Sequence, residues 1–305
     1  MFTLIVSQLF KMLVILLVGI LCCRIGLVST EGSRCISNLL LNIVNPCLII
    51  TVYQTEYDKT LVAGLLISFA AAVASHAVGI LISTLLIRRN SSADYSLERY
   101  AAVYSNCGFI GIPLIGSVLG NEGVFYLTAY MTVFNLLTWT HGLSLMKGNF
   151  RLRNLRDGLL SPMVLSTTLA MILFFARFRI PAPLLDSMNY IADMNTPLAM
   201  MVAGFSVAHS NLKKIFTSPG IYKVAALKLL VIPLAVLALL SLLPLDPTVA
   251  YTTLIATACP TATTIAMMSI LYNKNHAYAS EIFSFTTVLS ILTIPVIMFA
   301  ASFLL

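Results

Sequence analysis

The feature that most limits what this chain can fold into is an apolar run broken near its middle. From Tyr104 to Gly120 it reads YSNCGFIGIPLIGSVLG, interrupted by Gly108, Gly111 and Pro113. A proline inside a helix lacks the N–H its turn needs and crowds the carbonyl four residues back. Hydrocarbon offers irregular backbone no partners, so such a break survives at membrane depth only where protein buries it or where it lines a watery cavity. Interrupted spans therefore point to a transport site.

The membrane premise rests on composition: 59% of the 305 residues are hydrophobic and 10% charged, where soluble domains carry about 25% charge. Apolar runs follow one another at roughly Ile5 to Cys23, Cys35 to Tyr53, Leu61 to Ile87, Tyr100 to Leu119, Val124 to Met146, Leu159 to Ala176, Leu184 to Ala208, Ile221 to Leu243, Val249 to Tyr272 and Ala277 to Leu304. With about 20 apolar residues per span, the expected fold class is an all-α polytopic membrane protein with ten transmembrane helices and no soluble domain left over. The first run lacks the basic start and small-residue cleavage site of a signal peptide and is read as a retained helix. The six cysteines show no CxxC spacing and lie in or beside apolar runs, as small packing residues do.

Lysine and arginine set the expected topology, because short cytoplasmic loops hold more of them. With the N-terminus outside, thirteen of the 18 fall in inner loops, against Lys59, Arg177 and Arg179 in outer ones; Lys11 and Lys228 stay unassigned. Both termini are then expected outside. The net charge of +7 reads as a topogenic and lipid-facing signal, and without a basic motif on a soluble domain no nucleic-acid partner is expected.

The chain also resembles itself. Asn45-Pro46-Cys47-Leu48 in the second run matches Thr196-Pro197-Leu198 in the seventh, and Val133 to Thr138 in the fifth matches Val288 to Thr293 in the tenth, at offsets of 151 and 155. The expected organisation is a first five-helix repeat over 1–146, a short basic cytoplasmic loop over 147–158 and a second repeat over 159–305. An odd number of spans per repeat inverts the second copy, the pattern of secondary transporters.

Under that alignment the broken fourth run has a broken partner in Ala258-Cys259-Pro260-Thr261-Ala262-Thr263-Thr264 of the ninth. If helix restarts at Pro113 and Pro260, free N–H groups are expected on Leu114, Ile115 and Gly116 and on Thr261, Ala262 and Thr263. Such helix ends favour an anion by about 0.3–1 kcal/mol when exposed and up to about 2 kcal/mol when partly buried. A carboxylate fits, with Ser105, Asn106, Thr261, Thr263 and Thr264 adding neutral hydrogen bonds. Two kinked helices kept for packing are the plainer alternative.

Asn106, the Gly111-Ile112-Pro113-Leu114 core and Gly120, spaced seven residues either side of the proline, resemble the fourth-span signature of the auxin efflux carrier family. Asn45-Pro46, Thr196-Pro197-Leu198 and Pro260 extend the likeness over the chain, and the short basic mid-chain loop resembles bacterial members. The resemblance implies two inverted five-helix repeats whose broken fourth and ninth helices cross at their prolines, in a bacterial inner (plasma) membrane. It implies export or exchange of organic anions, auxin in plants and dicarboxylates such as malate or malonate in bacteria. Asn106, Pro113 and Pro260 would mark the crossover and substrate site; spans one, two, six and seven would form the scaffold and the other six the moving half.

Charge inside a span costs about 2.5–3.5 kcal/mol on insertion scales, so each such residue needs a reason. Asp193 lies four residues before Pro197, with Asn42 at the repeat-equivalent position; it reads as a proton-coupling carboxylate or as an interfacial one. Lys228 and Glu281 are expected toward the cytoplasmic side, pairing with each other, facing a substrate anion, or snorkelling. Asn135, opposite Ser290 in the repeat, lines the cavity or bonds helix to helix. His76, His141 and His209 have no metal-ligand spacing. No metal or cofactor is expected, and the ninth run has no carboxylate for sodium of the kind related bile-acid-type symporters use. The expected partners are a small organic anion and the lipid bilayer, with a homodimer left open. The function read from the sequence is a secondary carrier; the alternatives are a sodium-coupled bile-acid-type symporter and, from Gly204-Phe205-Ser206 with His209, an intramembrane hydrolase.

Overall fold

The computed structural model describes residues 2–89, 92, 94–147, 159–208 and 218–305. Among them the regular elements are helices: α1 (Phe2–Arg24), α2 (Thr30–Val52), α3 (Lys59–Leu86), α4 (Tyr95–Val103), α5 (Cys107–Lys147), α6 (Pro162–Phe175), α7 (Ala182–Ala208), α8 (Pro219–Ser241), α9 (Pro247–Ala258), α10 (Thr264–Leu271) and α11 (His276–Ala301). Seven of these described helices, α1, α2, α3, α5, α7, α8 and α11, are long and apolar enough to cross a membrane. The fourth expected run appears as α4 plus the start of α5, and the ninth as α9 plus α10. At Gly120, with φ 68° and ψ −161°, α5 is two helices joined at a conformation only glycine adopts readily. Of the basic loop expected over 147–158, only Lys147 is described; His209, Lys213 and Lys214 also lie outside the described residues.

Three prolines sit within these helices by one device. The chain forms a π turn at Leu40–Val44, Cys107–Gly111 and Leu227–Val231, and in each case the next residue but one is proline: Pro46, Pro113 and Pro233. The carbonyl four residues before each proline lies inside the π turn, whose wider ring moves it away from the pyrrolidine. The helix bends without ending. A fourth π turn, Thr138–Gly142, has no proline after it; a Cβ on Gly142 would stand 2.9 Å from the Tyr100 ring and 3.1 Å from Tyr104.

Leu17, Leu21, Leu66, Leu81, Leu85, Leu169, Ile172, Leu292, Val296 and Phe299 are all exposed, an apolar surface far beyond what a water-soluble monomer presents and one that hydrocarbon covers. The protein is an integral membrane protein.

Backbones touch where α1 crosses α7. A Cβ on Gly204 would collide with the Leu16 carbonyl oxygen, and one on Gly19 would lie 2.6 Å from that of Met201. Small residues permit this approach between membrane helices. Gly204-Phe205-Ser206 is therefore part of a continuous packed helix, with the Ser206 hydroxyl donating to the Val202 carbonyl at 3.1 Å, and offers no nucleophile elbow. Past the end of α2, Tyr53 is buried against Phe125 and Phe174, and Gln54 accepts the Ile180 N–H at 2.9 Å.

Gly204→Ala should lower the midpoint of thermal unfolding in detergent by an amount equivalent to about 1–3 kcal/mol of overpacking. Gly32→Ala, which meets only side-chain atoms at 3.4 Å and beyond, should leave it unchanged.

Candidate functional site

The two interrupted segments meet. α4 ends at Val103 and the chain runs extended through Tyr104 to Asn106; α9 ends at Ala258 and α10 begins only at Thr264. Ser105 and Thr261 form an antiparallel bridge, in which Asn106 N–H donates to the Pro260 carbonyl at 2.7 Å and Ala262 N–H to that of Tyr104 at 2.9 Å. Side chains complete the accounting. Thr261 N–H reaches the Thr286 hydroxyl at 3.3 Å, and the Thr261 hydroxyl donates to the Ala101 carbonyl at 3.0 Å. The Tyr100 hydroxyl is 2.7 Å from that of Thr264, and the Tyr104 hydroxyl donates to the Leu137 carbonyl at 2.8 Å and sits 2.9 Å from His141 Nδ1.

This geometry corrects the expected helix restarts. The fourth run resumes at Cys107, six residues before Pro113, because Asn106 acts as N-cap, its Oδ1 accepting from Phe109 N–H at 3.4 Å. The first-turn N–H groups without a helical carbonyl to reach thus belong to Cys107 and Gly108, and both turn to the Cys107 sulfur. Those of Leu114, Ile115 and Gly116 lie within the helix, and the Leu114 side chain is core. In the ninth run the N–H groups of Thr261 and Ala262 are spent on Thr286 and Tyr104.

Ser105, Asn106, Gly111, Pro260 and Thr261 thus come together at the crossing, with Thr263 at the start of α10. Gly111 is close-packed there, a Cβ on it standing 3.4 Å from Cys107 and 3.6 Å from the Cys259 sulfur. The Asn106 Nδ2, buried, meets no acceptor among the described residues, and a Cβ on neighbouring Gly108 would meet nothing within 4 Å. An unfilled amide donor thus stands at the start of α5, two residues before the open space at Gly108.

Pro113 sits one turn further on, in the wall of a cavity of about 340 Å³. Ile112, Gly116, Ser117, Asn121 and Val124 of α5 form one side of it; Gln8, Leu48, Thr51, Asn189, Asp193, Asn195 and Thr196, from α1, α2 and α7, form the other. Asp193 is exposed at this cavity, whereas Asn42 bonds its own helix at the Asn38 carbonyl. The polar level shared by the two halves is instead Asn45 with Asn195, both buried, the Asn195 Nδ2 donating to Asn45 Oδ1 at 2.7 Å. Asn135 does not join the crossing; its Nδ2 donates to the Met131 carbonyl one turn back at 2.8 Å.

Lys228 does not snorkel to a lipid interface. The π turn in α8 carries it fully buried to the crossing, where its Nζ donates to the Ser105 hydroxyl and, at 3.2 Å, to the Thr257 carbonyl. Glu281 is buried in α11. The sequence reading missed Glu98, buried in the first turn of α4. It accepts from the Tyr278 hydroxyl at 3.2 Å and pairs with Lys223 at 3.7 Å. No spacing signal marks it; a lone carboxylate after a charged loop reads as solvated.

Removing the Ser105 hydroxyl leaves the Lys228 ammonium with Thr257 alone. Ser105→Ala should cost about 1–3 kcal/mol of stability, read as a fall in Tm, while Asn135→Ala, removing a bond within one helix, should cost less.

A family model described as a membrane transport protein matches residues 4–154 and 149–298. A "Putative malonate transporter" of Rhizobium meliloti is 30% identical over 220 residues, 69% of this chain and 68% of the relative. Two relatives of methanogenic archaea are named uncharacterized transporters: one of Methanocaldococcus jannaschii, 26% identical over 66% of this chain and 68% of the relative, and one of Methanothermobacter thermautotrophicus, 22% identical over 93% and 94%.

Proposed function

The chain belongs to the membrane transport protein family, that of the auxin efflux carriers, and on that premise we propose that it is a secondary carrier of small organic anions, mono- or dicarboxylates, working by alternating access around the crossing. The observation that carries this reading is the unfilled Asn106 Nδ2 at the N-terminal end of α5, two residues before the open space at Gly108. Donors without acceptors, at the positive end of a helix, select a ligand that is all acceptor. A carboxylate is such a ligand, and Ser105, Asn106, Gly111, Pro260, Thr261 and Thr263 are the residues proposed to surround it.

In this reading the ten apolar runs are ten spans in two inverted repeats, 1–146 and 159–305, joined by the basic loop in a bacterial inner membrane with both termini outside. α1, α2, α6 and α7 are the scaffold and the remaining helices the moving half. The cavity of about 340 Å³ supports that division, since α5 supplies one wall and scaffold helices the other. Pro113 would let the cavity reach the broken helix, and Asp193 on the scaffold wall is the proposed site of any proton coupling. The printed name of the Rhizobium relative makes malonate the first ligand to try.

The test is thermal stabilisation of the purified protein by a panel of mono- and dicarboxylates with neutral and cationic controls. A ligand at a hundred times its Kd stabilises the folded state by about 2.7 kcal/mol. Carboxylates should raise Tm in the wild type and lose that effect in Asn106→Ala, whose own ligand-free Tm should fall by no more than a lost N-cap accounts for, about 1 kcal/mol. Stabilisation by cationic or neutral compounds alone, or an undiminished carboxylate effect in Asn106→Ala, would overturn the assignment.

A further inference from the structure

Lys228 occupies an unusual place for a lysine. It is fully buried in the middle of α8, and its ammonium is received by two neutral oxygens, the Ser105 hydroxyl and the Thr257 carbonyl. Both belong to the ends of broken helices. Thr257 lies in the last turn of α9 and Ser105 follows the last turn of α4, so the ammonium sits where two C-termini converge. Carbonyls at a helix C-terminus have lost their intrahelical donors and carry the negative end of the dipole. Carriers with interrupted spans use such carbonyls, with nearby hydroxyls, to hold coupling cations.

We propose that the Lys228 ammonium is a tethered cation: it fills the position that a free monovalent cation would take at the crossing, so the site carries its own positive charge and needs no coupling metal ion. Three features fit this. The π turn at Leu227–Val231 sets the lysine on the inner face. The two acceptors are the hard oxygen ligands a sodium ion would use. The positive charge also lies on the same bridge as the unfilled donors of Asn106, since Ser105 and Asn106 are consecutive. The inference rests on reading the crossing as the transport site, but its test needs no organic anion, so either idea can fail without the other.

The experiment is Lys228→Ala in the full chain, with Tm measured in sodium, lithium or methylammonium chloride against choline chloride at constant ionic strength. The wild type should show no difference among these salts. Lys228→Ala should have a lower Tm in choline, recovered by small cations in a saturable rise of roughly 5 °C, and the rise should vanish in Lys228→Ala with Ser105→Ala. Lys228→Met, which keeps the volume and removes the charge, should fold without any cation response and serves as the reference if the alanine variant is poorly folded; in that case Lys228→Ser takes its place. Cation-specific stabilisation of the wild type, or its absence from both Lys228→Ala and Lys228→Ser, would overturn the proposal.

Discussion

The structure depends on one short antiparallel pairing. Two helices stop inside an apolar protein, and each stop strips hydrogen bonds from several backbone groups that have no water to turn to. A buried unpaired amide or carbonyl costs about 1–3 kcal/mol inside a protein and several in hydrocarbon. Either break alone would be hard to sustain. Together they satisfy each other, through Asn106 to Pro260 and Ala262 to Tyr104, and threonines on both sides take up much of the remainder. Tyr100 and Tyr104, with ring centroids 4.6 Å apart, wall the crossing and hydrogen-bond to Thr264 and to Leu137 and His141 of α5.

What the pairing leaves unfilled is as informative as what it fills. Four helix ends converge at the crossing, two C-termini from α4 and α9 and two N-termini from α5 and α10. The C-terminal side is occupied by the Lys228 ammonium, while on the N-terminal side the Asn106 amide still has a donor to give. A pair of crossed broken helices could in principle favour either sign of ligand. In the proposed reading a side chain fills the cation side and leaves the anion side open.

The membrane class, the two breaks and their pairing in one site were legible in the sequence, because composition, proline and glycine act locally and hydrocarbon permits few solutions. The position of the restart was not. Pro113 looked like the start of a helix, but the π turn at Cys107–Gly111 absorbs the ring and lets helix begin at Asn106, which the asparagine itself signalled as an N-cap. Lys228 was misplaced for a different reason. Seen alone in an apolar run it resembles a snorkelling lysine, and only the π turn together with the arrival of two other helices makes it central. The same holds for Asn195: the repeat offset of 151 pairs Asn45 with Thr196, one residue further on, although the buried partner of Asn45 is what ties α2 to α7.

How such a molecule moves follows from where its bonds lie. In the proposed division, the hydrogen bonds at the crossing connect α4, α5, α8, α9, α10 and α11, all in the moving half, and the Asn45–Asn195 bond joins two scaffold helices. The backbone contact of α1 with α7 at Gly19 and Gly204 is likewise internal to the scaffold. Rocking one half against the other can therefore leave these polar accounts closed. What must change is packing across the seam, and there a different kind of contact stands. The Thr128 hydroxyl donates to the Phe125 carbonyl, so the Tyr53 hydroxyl, 2.7 Å away, donates to Thr128. Around it the rings of Tyr53, Phe125 and Phe174 stack within 4.5–6.0 Å of one another. Residues next in sequence to two of these rings, Val52 and Val124, line the cavity of about 340 Å³. A seal of aromatic faces with one hydroxyl bond can part and re-form at little electrostatic cost, whereas the crossing cannot. In the proposed reading the seam, rather than the crossing, is where alternating access acts.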